Sequence, residues 1–395
     1  MTHPSDLDPA ARPSPGVPNP AGYELVQRLG AGGMGEIWAA VRVGSHGAIK
    51  PCVVKMIRPE LAEQPRYRRL FEAEARVGMM LGHPNIVSVF DVGVVGQQLF
   101  MAMDWVDGVD LREFWSRAQQ VSGRPMAVDD AVYIVGALLD ALDHVHGVDI
   151  MDVQYIQHMQ HMQGPSVVHH DVSPRNVMIG SRGEVKLMDF GLVGLRGDPG
   201  EGSAPGFRGT LRYLSREQAR GRAEPASDLF AVGAILHELL EGRKFRHACT
   251  GEDMLMTEIL LGGIPTLERT IPEPVESLRR GLLEPRPEFR VKTAARALAR
   301  LEAWSEYRGG RRRLEALYRE AIGDPRPGLT RLRSLAEHGA WLDALSVSMD
   351  EITRIWSARA PTVGEGGGSL GAWSTSVASG TRPTPSERTK RLCEV

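Results

Sequence analysis

Residues 169 to 191 read HHDVSPRNVMIGSRGEVKLMDFG, and this string constrains the chain more than any other. Asp171 follows His169 by two positions, Asn176 comes five residues later, and Asp189 opens an Asp-Phe-Gly turn. An isolated H-x-D triplet means little, because aspartate and asparagine are ordinary turn and cap residues. An acid, an amide and a second acid at these offsets supply one carboxylate able to orient a hydroxyl and two oxygen ligands for magnesium.

Upstream, the stretch YELVQRLGAGGMGEIWAAVRV predicts a strand, a glycine turn and a second strand, with Ile37, Ala39 and Val41 alternating against Trp38, Ala40 and Arg42. A second turn, GSHG at 44 to 47, leads into IKPCVVKMI, and the three segments form an antiparallel meander ending on Lys55. PRYRRLFEAEARVGMML, with Leu70, Ala73, Val77, Met80 and Leu81 at helical spacing, predicts a helix carrying Glu74 and stopped by His83-Pro84. Strands are expected at IVSVFDVGVV and QLFMAMDWV, and from Asp107-Gly108 to about residue 300 helical patterns dominate. The fold class is α+β: a small antiparallel-sheet lobe with one main helix (23–106), then a larger, mostly helical lobe (107–300).

The first turn, Gly30-Ala31-Gly32-Gly33-Met34-Gly35, has the G-x-G-x-x-G spacing, which lets backbone N–H groups approach phosphate oxygens. The same spacing opens dinucleotide-binding folds, but there it joins a strand to a helix, whereas Glu36-Ile37-Trp38-Ala39 continues as a strand. Lys55 alone would be an ordinary snorkelling lysine, and Glu74 a solvated helical glutamate. Glu72 competes with Glu74.

Taken in order, GAGGMG, CVVK, Glu74, HPNIV, HHDVSPRN, DFG, GTLRYLSRE, SDLFAVG and Arg290 resemble the motifs of eukaryotic-like (Hanks-type) bacterial serine/threonine protein kinases. The resemblance covers residues 23 to about 295, roughly two-thirds of the chain, and V-S-P is similar to the catalytic loop of myxobacterial-type members. It implies the bilobal protein-kinase fold and transfer of the γ-phosphate of ATP to Ser or Thr hydroxyls of protein substrates, itself included. It further implies that Asp171 orients the attacking hydroxyl and that Asn176 and Asp189 hold Mg²⁺, with Mn²⁺ as a substitute. Lys55 would pair with the α- and β-phosphates, held by Glu74, which stands nine residues before His83-Pro84 as in the family. Gly30 to Gly35, Ile37 and Met103 would complete the nucleotide site. Phosphoryl transfer through a loose transition state needs positioning and charge neutralisation more than covalent help, and these side chains suit that need.

Several positions depart from the family pattern. His170 stands in place of the arginine that pairs with a phosphorylated activation loop, and histidine offers no permanent bidentate clamp. The loop from Leu192 to Leu214 offers Ser203, Thr210 and Tyr213 as acceptors, and phosphorylation there is not expected to be the main switch. Ser173 replaces a lysine that contacts the γ-phosphate. Gly78 stands where a larger apolar residue commonly packs, which predicts a loosely held helix and an activating protein partner. Arg216 replaces the proline of a P-E pair, while Glu217 remains to pair with Arg290. These departures also frame the alternative, a nucleotide-binding pseudokinase scaffold; a small-molecule phosphotransferase is disfavoured by Glu217 and Asp228.

Residues 144 to 170 hold six of the twelve histidines, and DVQYIQHMQHMQG reads as a variable insertion rather than a metal site built on His158 and His161. The proline-rich stretch 1–22 and the Gly/Ser/Thr-rich stretch 361–395 are expected to be disordered, with a helical extension at 301–360 between the kinase domain (23–300) and that tail. With 47 basic against 49 acidic residues, no overall field draws the chain to nucleic acid. No window reaches the roughly 18 apolar residues needed for membrane insertion. The N-terminus lacks a signal-peptide pattern, and Cys52, Cys249 and Cys393 are widely spaced, so a cytoplasmic location is expected.

Overall fold

Period-two alternation in the first hundred residues builds a two-faced sheet. A computed structural model describes residues 20–31, 35–44, 48–148, 167–190 and 211–323. Strands β1 (Tyr23–Ala31), β2 (Gly35–Val43), β3 (Ile49–Ile57), β4 (Val89–Val95) and β5 (Gln98–Asp104) form a five-stranded sheet in the order β1-β2-β3-β5-β4, each neighbouring pair antiparallel. On one face Tyr23, Leu25, Trp38, Ala40, Cys52, Val54, Met56, Phe100 and Ala102 pack into their own cluster. On the other, Ile57, Leu99, Met101 and Met103 pack with Phe71, Ala75 and Val87. β3 continues two residues past Lys55, so that lysine lies within the strand rather than at its end.

A short helix α1 (Pro59–Ala62) precedes α2 (Pro65–Met80), which starts with proline in its first turn, where the missing N–H costs nothing. Phe71 and Ala75 of α2 face the sheet, while Ala73, Val77 and Leu81 join the large core of the second lobe. The helix therefore sits between two cores. Gly78 does not leave it loose: a Cβ at that position would lie 2.5 Å from Cγ2 of Val89 on β4. Val89 fills the space a larger residue would take, so the sequence expectation of a loosely held helix is corrected by close packing of α2 on the sheet.

The second lobe contains α3 (Leu111–Ser122), α4 (Val128–His146), α5 (Arg216–Ala219), α6 (Pro225–Glu241), α7 (Glu252–Leu261), α8 (Glu273–Leu283), α9 (Ala294–Glu302) and α10 (Arg311–Ile322). Nearly every residue of α6 from Ser227 to Leu240 is buried, as expected of a central helix apolar around its whole circumference. α3 is bounded by sequence chemistry. Asp110 accepts from Glu113 N at 2.8 Å at its start, and Gly123 takes φ 65° at its end.

The lobe also carries a second sheet that hydrophobic periodicity did not reveal: β6 (Gly108–Asp110), β7 (Val177–Gly180) and β8 (Val185–Leu187), in that order and antiparallel. α10 lies within the expected helical extension and packs on α3, with the ring of Tyr318 stacked 6.1 Å from Phe114 and Leu314 fully buried. Arg311 Nε donates to Arg182 O at 3.1 Å in the β7–β8 turn, and Arg313 pairs with Asp130 at 3.2 Å. The stretches 1–19 and 324–395, which hold most of the leader and all of the tail expected to be disordered, fall outside the described residues, as do 149–166 with His158 and His161. Among the described residues, no helix is long and apolar enough to cross a membrane.

Candidate active site

The β7–β8 hairpin explains how residues distant in sequence reach one place. Asn176 immediately precedes β7 and Asp189 is the second residue after β8, while Val177 pairs with Leu187 and Met188 N donates to Asn176 O at 2.9 Å. The register therefore sets the amide and the second acid on adjacent strand ends. Asn176 Nδ2 donates to Asp171 O at 2.8 Å and to Asp171 Oδ2 at 2.9 Å, drawing the first acid to the same spot.

Asp189 reaches across to the first sheet. Its Oδ1 lies 3.1 Å from Lys55 Nζ, which also donates to Glu74 Oε1 at 2.6 Å. Glu74, not Glu72, is the inward partner: Glu72 turns outward to pair with Arg68 at 3.2 Å one turn away. Burial alone would lower the pKa of Lys55, but the charges of Asp189 and Glu74 outweigh it and hold the ammonium well above its ordinary value. Burial pushes the Glu74 carboxyl up while the ammonium pulls it down. At 2.6 Å, with Lys55 held charged, the geometry favours the ion pair.

Two residues here have left-handed backbones, Asp189 at φ 55° and His170 at φ 69°, conformations that cost a non-glycine residue energy unless its surroundings hold it. His170 is held on both sides: its N–H donates to Asp228 Oδ1 at 3.0 Å and its carbonyl accepts from Gln218 Nε2 at 3.0 Å. Asp228 anchors the loop further, its Oδ2 accepting from His169 N and facing His146 Nε2, both at 2.8 Å. Burial works to raise the Asp228 carboxyl; the hydrogen bond and charge of His146, with His169 and His170, outweigh it and hold the group below the usual range. His146 was legible only as the end of a helix, since its partner lies 82 residues away.

His169 is fully enclosed, and burial pushes its pKa down to about 4, so it is neutral at pH 7. Its contacts fix the tautomer. Nε2 faces Met188 O at 3.2 Å and therefore carries the proton, leaving Nδ1 to accept from Asp171 N at 3.4 Å, while the ring packs 4.8 Å from Phe190. Burial likewise lowers the pKa of His170, and its Nε2 makes no hydrogen bond among the described residues.

On the sheet side, Gly30 pairs with Ile37, Ile37 with Lys55 and Lys55 with Met101, so Ile37 and Lys55 share a face. Met103 is buried on that same face, in the cluster that includes Phe71 and Val87. Gly35 sits against β3, where a Cβ would collide with the Met56 carbonyl, which accounts for a glycine at that end of the turn. Gly32, Gly33 and Met34 lie outside the described residues, as do Ser203 and Thr210. Tyr213, named as a third acceptor, is corrected: it is buried and its hydroxyl donates to Glu238 Oε2 at 2.7 Å.

His83-Pro84-Asn85 ties the lobes together. Asn85 Nδ2 donates to Val185 O at 2.9 Å, Leu187 N to Asn85 O at 2.8 Å and Val87 N to Leu187 O at 2.9 Å, stitching the segment after α2 onto β8. Below the site, Arg290 makes a bidentate pair with Glu217 at 2.6 and 3.2 Å, with Ser227 Oγ donating to the same carboxylate at 2.8 Å. The pair expected between Glu217 and Arg290 is present although Arg216 stands where the proline would be. Cys52 and Cys249 are buried free thiols.

Residues 23–300 match the model of the protein kinase domain. The chain is 34% identical over 229 residues to the serine/threonine-protein kinase PknB of Mycolicibacterium smegmatis, covering 56% of this chain and 32% of that protein. It is 35% identical over 230 residues to the probable serine/threonine-protein kinase SCO3848 of Streptomyces coelicolor, covering 56% and 30%. To the tyrosine-protein kinase MasK of Myxococcus xanthus it is 29% identical over 294 residues, covering 73% and 44%. The chain thus spans less than half the length of these curated relatives. With the Lys55–Glu74–Asp189 contact, the Asp171–Asn176 pair and the two-lobed architecture in place, the chain belongs to the protein kinase domain family.

Proposed function

We propose that this chain is an ATP- and magnesium-dependent protein kinase that transfers the γ-phosphate to Ser and Thr hydroxyls of protein substrates, its own chain included. The observation that carries this reading is the joining of Lys55, Glu74 and Asp189 across the lobes within hydrogen-bonding distance, beside the Asp171–Asn176 pair.

The donor set suits the metal. Asn176 commits its N–H to Asp171, leaving its carbonyl oxygen as a ligand, and Asp189 meets Lys55 through Oδ1, leaving Oδ2. Two hard oxygen donors with room for water and phosphate fit Mg²⁺, or Mn²⁺ in its place. When bound, the ion would neutralise phosphate charge. Lys55, fixed as a cation, would hold the α- and β-phosphates, the Gly30–Gly35 turn would offer them backbone N–H groups, and Ile37 and Met103 would supply apolar contacts. Asp171, steadied by Asn176, would orient the acceptor hydroxyl and receive its proton; a carboxylate is a weak base, so orientation is its larger contribution.

The packing of Val89 against Gly78 and the formed Lys55–Glu74 pair take away the motive for an activating partner. The neutral ring of His170 supports a reading in which loop phosphorylation is not the main switch. A cytoplasmic signalling setting belongs to the same proposal and draws support from the buried free thiols of Cys52 and Cys249.

Incubation of the purified chain with γ-labelled ATP and Mg²⁺, beside Lys55→Met and Asp171→Asn, tests the proposal: label on the parent chain or a generic acceptor protein, and on neither variant, is the expected result. ATP binding without any transfer would point instead to a scaffold. Phosphoamino-acid analysis is expected to give phosphoserine and phosphothreonine. Phosphotyrosine would align the chain with the Myxococcus relative named as a tyrosine kinase.

A further inference from the structure

Two exposed arginines, Arg112 and Arg175, stand beside the acceptor site, and the acids near them accept hydrogen bonds from within the fold. Arg175 lies in the 3₁₀ turn Pro174–Asn176, between the two residues that hold the acceptor end of the site, and it is exposed. Arg112 is exposed in the first turn of α3, two residues after Asp110, which pairs across β6–β7 with Met178, itself two residues beyond Asn176. The sheet register therefore brings Arg112 and Arg175 to the same edge, and both lie close enough to Asp110 to act on its charge. Neither guanidinium makes a hydrogen bond or ion pair among the described residues. A free, solvated guanidinium has its whole donor fork available to a carboxylate.

The nearby acids are committed to the fold. Asp110 caps α3 through Glu113 N, Asp107 accepts from Ser181 Oγ at 3.0 Å, and Glu113 faces Arg117 at 3.7 Å. Glu238 is buried under the turn Leu211–Tyr213, where it accepts from Tyr213 Oη and Phe245 N, the latter at 3.1 Å. That turn adds Arg212, whose guanidinium donates to the carbonyls of Phe245, Arg246 and Cys249, so its charge is fixed in place with no carboxylate bonded to it among the described residues. Arg112 also lies close enough to act on Tyr213, so it is within reach of residues 211–213 as well as of Asp110.

We propose that Arg112 and Arg175 are specificity residues that select protein segments carrying aspartate or glutamate close to the acceptor hydroxyl. This rests on the reading of the chain as a protein kinase. The acceptor hydroxyl must come to Asp171, so the flanking residues of an extended segment pass over Arg175 and then over Arg112 or the 211–213 turn. A lysine-rich segment meets repulsion on that path, and an acidic one meets two unspent cations.

The test uses the full chain and three fluorescein-labelled serine peptides of equal length, flanked by glutamate, alanine or lysine. Anisotropy titration gives their affinities, and transfer from labelled ATP gives kcat/KM. At low salt the glutamate peptide is expected to exceed the lysine peptide by about tenfold in both, as two solvent-exposed charge contacts allow, and the ratio is expected to shrink as salt rises. Arg112→Glu with Arg175→Glu is expected to invert the order, and the single alanine variants to reduce it. Equal affinities, a preference for the lysine peptide, or an order unmoved by the double variant would overturn the assignment. The binding arm needs no turnover: an acidic preference lost in the double variant, without any transfer, would uphold the groove and sink the kinase reading alone. Transfer without preference would do the reverse.

Discussion

Two buried ion pairs, Lys55–Glu74 in the first lobe and Arg290–Glu217 in the second, use the same chemistry for different ends. Arg290 is fully enclosed, and its guanidinium also donates to carbonyls of Ala226, Glu284 and Pro285, while Glu217 receives Ser227. Lys55 keeps 14% of its side chain exposed and is shared between two carboxylates, one of them on Asp189 with its left-handed backbone. A charge pair whose donors and acceptors are all taken holds a structure together. One left partly wet, with an extra carboxylate in reach, is placed to receive a ligand.

The strongest way to break this comparison is Arg290→Ala. It leaves Glu217 buried without its counter-charge and is expected to lower unfolding free energy by about 3–5 kcal/mol, read from urea denaturation of the full chain. A loss below 1 kcal/mol would mean the second pair is no clamp. The companion change, Glu74→Gln, keeps shape and removes charge. Because Lys55 retains Asp189, the denaturation midpoint should barely move, while kcat/KM should fall by about a hundredfold or more through loss of lysine positioning. Equal destabilisation by the two variants would erase the distinction between clamp and site.

Much of this pairing could be read from the sequence, because each partner sits in a short motif with fixed internal spacing: Lys55 in CVVK, Glu217 in the LSRE step that opens α5, Asp171 and Asn176 five residues apart. The parts that could not be read depend on contacts across the fold. The strands β6, β7 and β8 are three, four and three residues long, too short for alternation to declare itself, yet their register is what brings Asn176 to Asp189. His146 gave no signal beyond a helix end. Tyr213 read as an acceptor because its hydroxyl partner Glu238 lies a helix away. Gly78 read as a gap because nothing in its own helix announces Val89.

Acidification separates the two ends of the comparison further. His169 and His237 are both pushed down to about 4 from an ordinary 6.5, by burial in each case and for His237 also by the charge of Arg279. Their native pKa lies below the unfolded one, so the unfolded chain takes up protons first as pH falls. Stability should therefore be full above pH 6.5 and decline from 6.5 towards 4, by up to about 3 kcal/mol for each. Glu217 acts in a lower window: its carboxyl is depressed from 4.5, burial raising it and Arg290 more than offsetting that, so its contribution is lost only below about pH 4.5. Urea denaturation at pH 7.5, 5.5 and 4.5 should show the decline before the Glu217 pair titrates. His237→Gln should flatten it. A chain equally stable at 7.5 and 5.5 would place the histidines in wetter surroundings than their burial indicates.

The smallest effect tests how α2 delivers Glu74. A methyl group at Gly78 would press on Val89, and relief requires α2 to move off β4 or Val89 to leave its position. Gly78→Ala should cost about 1–2 kcal/mol from overpacking, partly offset by the better helix propensity of alanine. Because Glu74 lies one turn away on the same helix, the shift should also lengthen its contact with Lys55 and lower kcat more than KM rises. Val89→Ala removes the opposing methyls, so the double variant should recover activity relative to Gly78→Ala even though it carries a second core truncation. That recovery would be invisible if the glycine merely tolerated its position. Activity equal in the two variants would place the control of Glu74 in its ion pair rather than in the packing of its helix.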